Sequence, residues 1–174
     1  MEPGRGTFES DFEWQATFIP EIKQVLASIF LGTVPVEEDR MLHGGLIVLR
    51  LDPVWVACRV RSFAYLQLYP DQFTLRESRP SGVPTDIHKV LSGWGNYYFY
   101  SFAKQDSSGL AAWFLGDLNV FRAWYSQVLA QTGQPPGILK VNADGTTFRA
   151  YDIGALPPEF VVRRAAAQPP WRVA

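Results

Sequence analysis

The most strand-like stretch of the chain is residues 44–61, GGLIVLRLDPVWVACRVR. Two apolar runs, residues 46–51 and 54–60, flank the turn dipeptide Asp52-Pro53. Short runs rich in Val, Ile and Leu that are bounded by turn residues are typical of β-strands. Apolar residues occupy both faces of each run, as in strands that are covered on both sides. We therefore predict that the two runs form an antiparallel hairpin in the middle of a sheet.

The remaining elements alternate between helices and strands. Apolar residues recurring every three or four positions predict a helix from Ser10 or Asp11 to about Leu31, with a kink or a second start at Pro20. Similar periodicities, bounded by turn residues, predict the other elements. These are a strand at 72–77, a short helix at 87–92, a strand at Tyr97–Ala103, a long helix at 110–132, and a hairpin of strands 138–141 and 147–151 around Asp144-Gly145.

Together these elements predict a single α/β (α+β) domain in which a mixed, mostly antiparallel sheet is flanked by helices. The domain is expected to span residues 1–154, and the Pro- and Arg-containing residues 155–174 are expected to be a tail. A chain of 174 residues is long enough to bury one core. Trp, Tyr and Phe make up 14% of it, which predicts a packed aromatic core or a surface that stacks on a flat ligand.

Composition limits the classes of function. A net charge of −1 gives no global attraction to nucleic acid or membranes, so a nucleic-acid site must be a local patch. Cys58 is the only cysteine, which excludes an internal disulfide and fits a reducing cytoplasm. No run reaches the ~18 apolar residues of a membrane span, and the N-terminus MEPGRGTFES is unlike a signal peptide. We expect a cytoplasmic protein with no membrane contact.

The order of helix, three strands, helix and strand resembles the core of the PD-(D/E)XK nuclease superfamily, which has the restriction-endonuclease-like fold. The segment 74–102, with RESRPSG, TDIHK and GWGNYYFYSFA, is also similar to uncharacterised phage and prophage proteins. The resemblance implies a nuclease that cleaves phosphodiesters with Mg²⁺ held by acids on two strands. The acids hold the metal because hard cations such as Mg²⁺ take oxygen ligands, and a glutamate from the first helix often assists. A lysine two residues after the second acid helps to activate water.

Only part of that site is present. Glu21 matches the helix glutamate, whereas Gly44-Gly45 lies where the first acid belongs, and Cys58 and Val60 lie where the acid and the lysine belong.

If the chemistry has moved elsewhere, the nearest spare acids are Asp39, Asp52, Glu77 and Asp86. Lys89 would then replace the lysine. The resemblance thus implies Glu21 and Lys89 as catalytic candidates and Glu21, Asp39 and Glu77 as Mg²⁺ candidates. The alternative for each residue is a surface charge or a helix cap. The two histidines, His43 and His88, have no acid-rich motif around them, so no zinc site is predicted.

Basic and aromatic residues are interleaved in the middle of the chain. The predicted nucleic-acid-binding residues are Arg50, Arg59, Arg61, Arg76 and Arg79, with Tyr65, Tyr69, Trp94 and Tyr97 among them. Arginines that contact phosphates and rings that stack on bases are typical of nucleic-acid interfaces when they share one surface. The alternative is that the arginines form salt bridges with Asp71, Glu77 and Asp86.

Two functions follow. The first is a phage-type protein of nuclease fold that acts on or binds DNA or RNA, with Mg²⁺ as its cofactor if it is catalytically active. The second is a non-enzymatic binding or assembly module of the same fold, with a protein partner or a second copy of itself. A small-molecule enzyme with an aromatic pocket is a third class, for which the sequence offers no catalytic residues.

The missing strand acids predict weak or absent Mg²⁺-dependent nuclease activity. Glu21 alone cannot supply the oxygen ligands that Mg²⁺ requires. Incubation of the purified protein with plasmid and single-stranded oligonucleotides in Mg²⁺ should leave them intact. Robust cleavage that is abolished by Glu21→Ala would show that a complete site has been rebuilt from other acids.

Overall fold

The computed structural model describes residues 8–33, 49–51 and 54–165. The chain divides into two compact units, Met1–Val54 and Trp55–Ala174. Helices combine with a mixed sheet and with antiparallel sheets, which confirms the predicted mixed α/β class.

The described residues of the first unit form two helices and a short strand pair. Helix α1 (Phe8–Ala16) and helix α2 (Ile19–Phe30) are separate, and Pro20 lies in the first turn of α2, where a missing N–H costs nothing. The predicted second start at Pro20 is therefore confirmed. Strand β1 (Leu31–Thr33) pairs antiparallel with β2 (Leu49–Leu51).

The second unit contains a four-stranded mixed sheet. Its strands, in spatial order, are β3 (Val56–Arg61), β5 (Tyr97–Ala103), β6 (Leu110–Asp117) and β9 (Val161–Ala165). The β3–β5 pair is parallel and the other two pairs are antiparallel. Residues on both faces of β5 are buried, and β5 lies between β3 and β6 in the sheet. Its bounds are those predicted for the strand at Tyr97–Ala103.

A second, three-stranded antiparallel sheet has the order β4 (Gln72–Ser78), β8 (Thr147–Asp152) and β7 (Ile138–Val141). The predicted hairpin around Asp144-Gly145 is confirmed as β7–β8. Gly145 has a φ of 78°, a conformation that glycine adopts without steric cost. The sheet has an inner face toward the core and an outer face that carries the residues described below.

In the described residues, three α-helices accompany these sheets: α3 (Phe63–Leu68), α4 (Asp86–Leu91) and α5 (Leu118–Thr132). Two 3₁₀ helices, Ile153–Ala155 and Pro158–Phe160, precede β9. The Asp117 carboxylate accepts hydrogen bonds from the backbone N–H groups of Asn119 and Val120 and so caps α5. Gly133, with a φ of 68°, ends it. Among the described residues, no helix has the length and apolar character needed to cross a bilayer.

Phe73 on the inner face of β4 is the centre of the core and is only 1% exposed. It contacts rings from both sheets, from α5 and from the 3₁₀ helix Pro158–Phe160. These rings are Tyr98, Tyr100, Phe114, Phe121, Tyr151 and Phe160, with ring centroids 5.1–6.3 Å from that of Phe73. Such pairs add about 0.5–1.5 kcal/mol each beyond the area they bury. The aromatic content of the chain therefore forms a packed core, one of the two predicted outcomes.

The predicted hairpin of residues 46–51 and 54–60 is wrong in the part that the structure describes. Strand β2 pairs with β1, and β3 pairs in parallel with β5 at one edge of the four-stranded sheet. Residues 46–48 and the turn at 52–53 lie outside the described residues. A parallel pair needs a long crossover connection, which the chain between β3 and β5 supplies. The apolar strand β5 is therefore available as a partner despite its distance in sequence.

The predicted helix at 110–132 is wrong in its first part. Leu110, Ala112 and Phe114 are buried in alternation, which is the period of a strand, and the helix begins only after Asp117. The segment from Ala155, predicted to be a tail, is packed as far as Ala165. Phe160 is fully buried, and β9 pairs with β6.

Replacing Phe73 should unfold much of the second unit. We expect Phe73→Ala to lower the free energy of unfolding by about 3–5 kcal/mol, because a large buried ring is lost and a cavity remains. Chemical denaturation measures this change. Leu68→Ala, at a side chain that is 69% exposed, is the control and should change stability by less than about 0.5 kcal/mol. Equal effects of the two variants would contradict the assignment of Phe73 to the core.

Candidate nucleic-acid interface

Arg59 is held by an ion pair rather than directed to a ligand. Its Nη2 donates to Oδ2 of Asp86 at 2.8 Å, and the backbone N–H of Arg76 donates to the same oxygen at 3.3 Å. Burial disfavours the charged guanidinium, but the neighbouring Tyr98 and Asp86 outweigh it, so the pKa of Arg59 is raised. Arg59 and Asp86 thus join β3, β4 and α4, as in the salt-bridge alternative.

Glu77, a predicted metal ligand, is also committed to an ion pair. Nε of Arg149 lies 2.8 Å from Oε2 and donates to Oε1 at 2.9 Å. The Arg149 guanidinium also donates to the carbonyl oxygens of Pro135 and Gly137, so it fastens β8 to the chain after α5. A metal ion at Glu77 would have to displace this arginine.

The other predicted catalytic and metal residues belong to different units or lie outside the described residues. Glu21 lies on α2 in the first unit, whereas Lys89 lies on α4 in the second. Asp39, Asp52, His43, the Gly44-Gly45 pair and the side chain of Arg50 lie outside the described residues. Within the described ranges, no group of three or more His, Cys, Asp and Glu residues is placed to hold a metal.

The outer face of the three-stranded sheet presents a different arrangement. Arg76 of β4 is in register with Phe148 of β8, and Phe148 is in register with Lys140 of β7. Residues in register on neighbouring antiparallel strands point to the same face, and the strands are about 4.8 Å apart. One ring therefore lies between two cations in a row across the sheet.

Both cations of this row are available to a ligand. In the part of the chain that the structure describes, no ion pair is recorded for the side chains of Arg76 and Lys140. Burial lowers the pKa of Arg76, and so does repulsion from Arg79 and Arg59, whereas attraction from Asp86 and Asp144 raises it; the net shift is downward. An anion bound at this edge of the sheet would add to the attraction from the two acids.

A pocket of about 260 Å³ adjoins the row. Its lining residues come from the three-stranded sheet, from α3 and the residue that follows it, and from β5. The lining residues are Tyr65, Tyr69, Gln72, Thr74, Tyr100, Phe102, Lys140, Phe148 and Ala150. Aromatic rings thus surround a small opening that has a few polar groups, as is usual for ligand sites.

Arg61 extends the positive charge to the α3 side of the pocket. Its guanidinium carbon lies 3.9 Å from the centroid of the Tyr65 ring, a cation–π contact. Tyr65 and Tyr69 remain 41% and 48% exposed, so their rings can still contact a ligand. Two predicted binding residues, Arg61 and Arg76, therefore lie beside this pocket, whereas Arg59 is occupied by Asp86.

Three residues of the row and the pocket were not predicted from the sequence: Lys140, Phe148 and Gln72. The sequence could have indicated Lys140 and Phe148, because both lie on the correctly predicted strands of the hairpin, where side chains alternate between the two faces. Arg76 was predicted as a binding residue, but its position beside Phe148 could not be predicted, since the pairing of β4 with β8 joins residues about 70 positions apart. Comparisons of the chain with protein-family models, curated proteins and solved structures found no match.

Breaking the Arg59–Asp86 pair should affect stability. The side chains of Arg59 and Asp86 are 23% and 30% exposed, so removing Arg59 would leave the carboxylate of Asp86 partly buried without its ion-pair partner. We expect Arg59→Met to destabilise the protein by about 1–3 kcal/mol, measured by chemical denaturation. In a double-mutant cycle with Asp86→Asn, the two losses should not be additive, and additivity would contradict the pairing.

Proposed function

We propose that this protein binds single-stranded nucleic acid through the outer face of its three-stranded sheet. The observation that carries the proposal is the row Arg76–Phe148–Lys140, in which an aromatic ring lies between two cations. The ring stacks on a base, and the cations contact the phosphates on either side of it.

A single strand fits this surface better than a duplex. Rings on a sheet can stack only on bases whose faces are free, and in a duplex the bases are stacked on each other. The net charge of −1 means that attraction must come from the local cations, among them Arg61, Arg76 and Lys140. The lone cysteine fits a cytoplasmic location, where such strands occur.

Binding is favoured over cleavage because acids that could hold a catalytic metal ion are already paired with arginines. Of the four spare acids, Glu77 and Asp86 are the two that the structure describes, and they are paired with Arg149 and Arg59. The nuclease resemblance of the element order stays a prediction, and the cleavage assay described above tests it.

A second candidate function is protein assembly, favoured by the edge strand β7. Its apolar residues Ile138, Leu139 and Val141 are 57%, 48% and 67% exposed. An exposed apolar edge strand can pair with a strand of another chain. A protein that serves only in assembly would not bind oligonucleotides, so the following experiment separates the two functions.

Affinity for a labelled single strand of about eight nucleotides should fall as salt rises, because bound phosphates displace counterions. The double variant Arg76→Gln, Lys140→Gln should reduce the slope of log K against log[salt] by about 1.4, at about 0.7 per phosphate contact. Phe148→Ala should cost about 1–3 kcal/mol of binding free energy through lost stacking. Fluorescence anisotropy at several salt concentrations measures both.

The control is Arg163→Gln, Arg164→Gln, which removes the same charge from the exposed strand β9. It should keep the slope of the parent protein. No binding at low salt, or an equal loss in both double variants, would contradict the proposed interface.

A further inference from the structure

The pocket beside the row has the size of a small, flat ligand. At about 260 Å³ it is below the ~300–1,000 Å³ that is usual for drug-sized molecules. Tyr65, Tyr69 and Phe148 supply ring walls, so the occupant that fills it best is a single aromatic ring system.

The polar groups of the pocket can hydrogen-bond the edge of such a ring. For the side-chain amide of Gln72, on the outer face of β4, no hydrogen bond is recorded within the described residues. An amide presents a donor and an acceptor side by side. The hydroxyls of Thr74 and Tyr100 are 3.4 Å apart, a long contact in which either group can be the donor. Both hydroxyls can therefore turn toward a ligand.

We propose that the pocket takes one unstacked nucleobase of the bound strand and recognises its identity. Tyr65, Tyr69 and Phe148 enclose the faces of the base, while Gln72, Thr74 and Tyr100 hydrogen-bond its edge. This inference rests on the proposed function and adds base selectivity to it. The row of cations holds the strand, and the pocket selects the base.

The chemistry of the pocket favours a base over other small occupants. An aliphatic chain would leave the amide of Gln72 without a partner and the hydroxyls of Thr74 and Tyr100 with only their long mutual contact, and a buried polar group without a good partner costs free energy. A base satisfies them through adjacent donors and acceptors. Lys140 lies in both the pocket and the row, so its ammonium group can contact the phosphate attached to the selected base.

Homopolymeric single strands of about eight nucleotides, one for each base, test the inference by fluorescence anisotropy. The parent protein should prefer one base over the others by on the order of tenfold. Gln72→Ala should bring the ratio of affinities for the preferred base and the other bases close to one, while leaving the salt dependence of binding unchanged. Thr74→Val, which removes one hydroxyl at constant shape, should weaken the preference without removing it. Gln127→Ala on the exposed side of α5 is the matched control and should keep the preference.

A second titration, with the four nucleoside 5′-monophosphates, allows the two proposals to be tested separately. If strands bind but Gln72→Ala and Thr74→Val keep the parental preference, the pocket inference is overturned and the interface stands. If no strand binds but one monophosphate does, and Gln72→Ala weakens it, the pocket holds a free nucleotide and the interface is overturned. If neither probe binds, both proposals are overturned.

Discussion

The second unit depends on the packing of Phe73 between its two sheets. The ring lies on the inner face of β4 and stacks on Tyr151 of the same sheet at 5.1 Å. It also meets Tyr98, Tyr100 and Phe114 of the other sheet at their edges. Edge-to-face contacts are directional as well as apolar, so they fix the relative placement of the sheets in addition to burying area.

This constraint also creates the outer face. Because side chains alternate along β4, placing Phe73 and Leu75 in the core directs Gln72, Thr74 and Arg76 outward. The same alternation on β8 buries Tyr151 and presents Phe148. The hydroxyl of Tyr100 then reaches Thr74 at the edge of the pocket. The proposed binding surface is thus the reverse side of the core.

The features that could be predicted from the sequence are those that depend on residues close together in the chain. Local patterns gave β5, α4 and the β7–β8 hairpin, whose turn residues and periodicity lie within a few positions of each other. They failed for residues 110–117, where helical and strand spacings coincide, and for β3, whose partner β5 is about 40 positions away. The interface depends on the β4–β8 register, a long-range pairing that composition cannot reveal. Arg59, Arg61 and Arg76 were all predicted as binding residues from their residue type. Only the structure shows that Arg76 is in register with Phe148, whereas Arg59 is paired with Asp86.

The most direct test of the interface is to map where a single strand contacts the protein in solution. Amide chemical shifts of ¹⁵N-labelled protein, recorded with and without an oligonucleotide, provide this map. The account predicts that the largest changes fall on β4, β7, β8 and α3, centred on Arg76, Phe148 and Lys140. Changes centred instead on α5 or β9, with these strands unaffected, would contradict it.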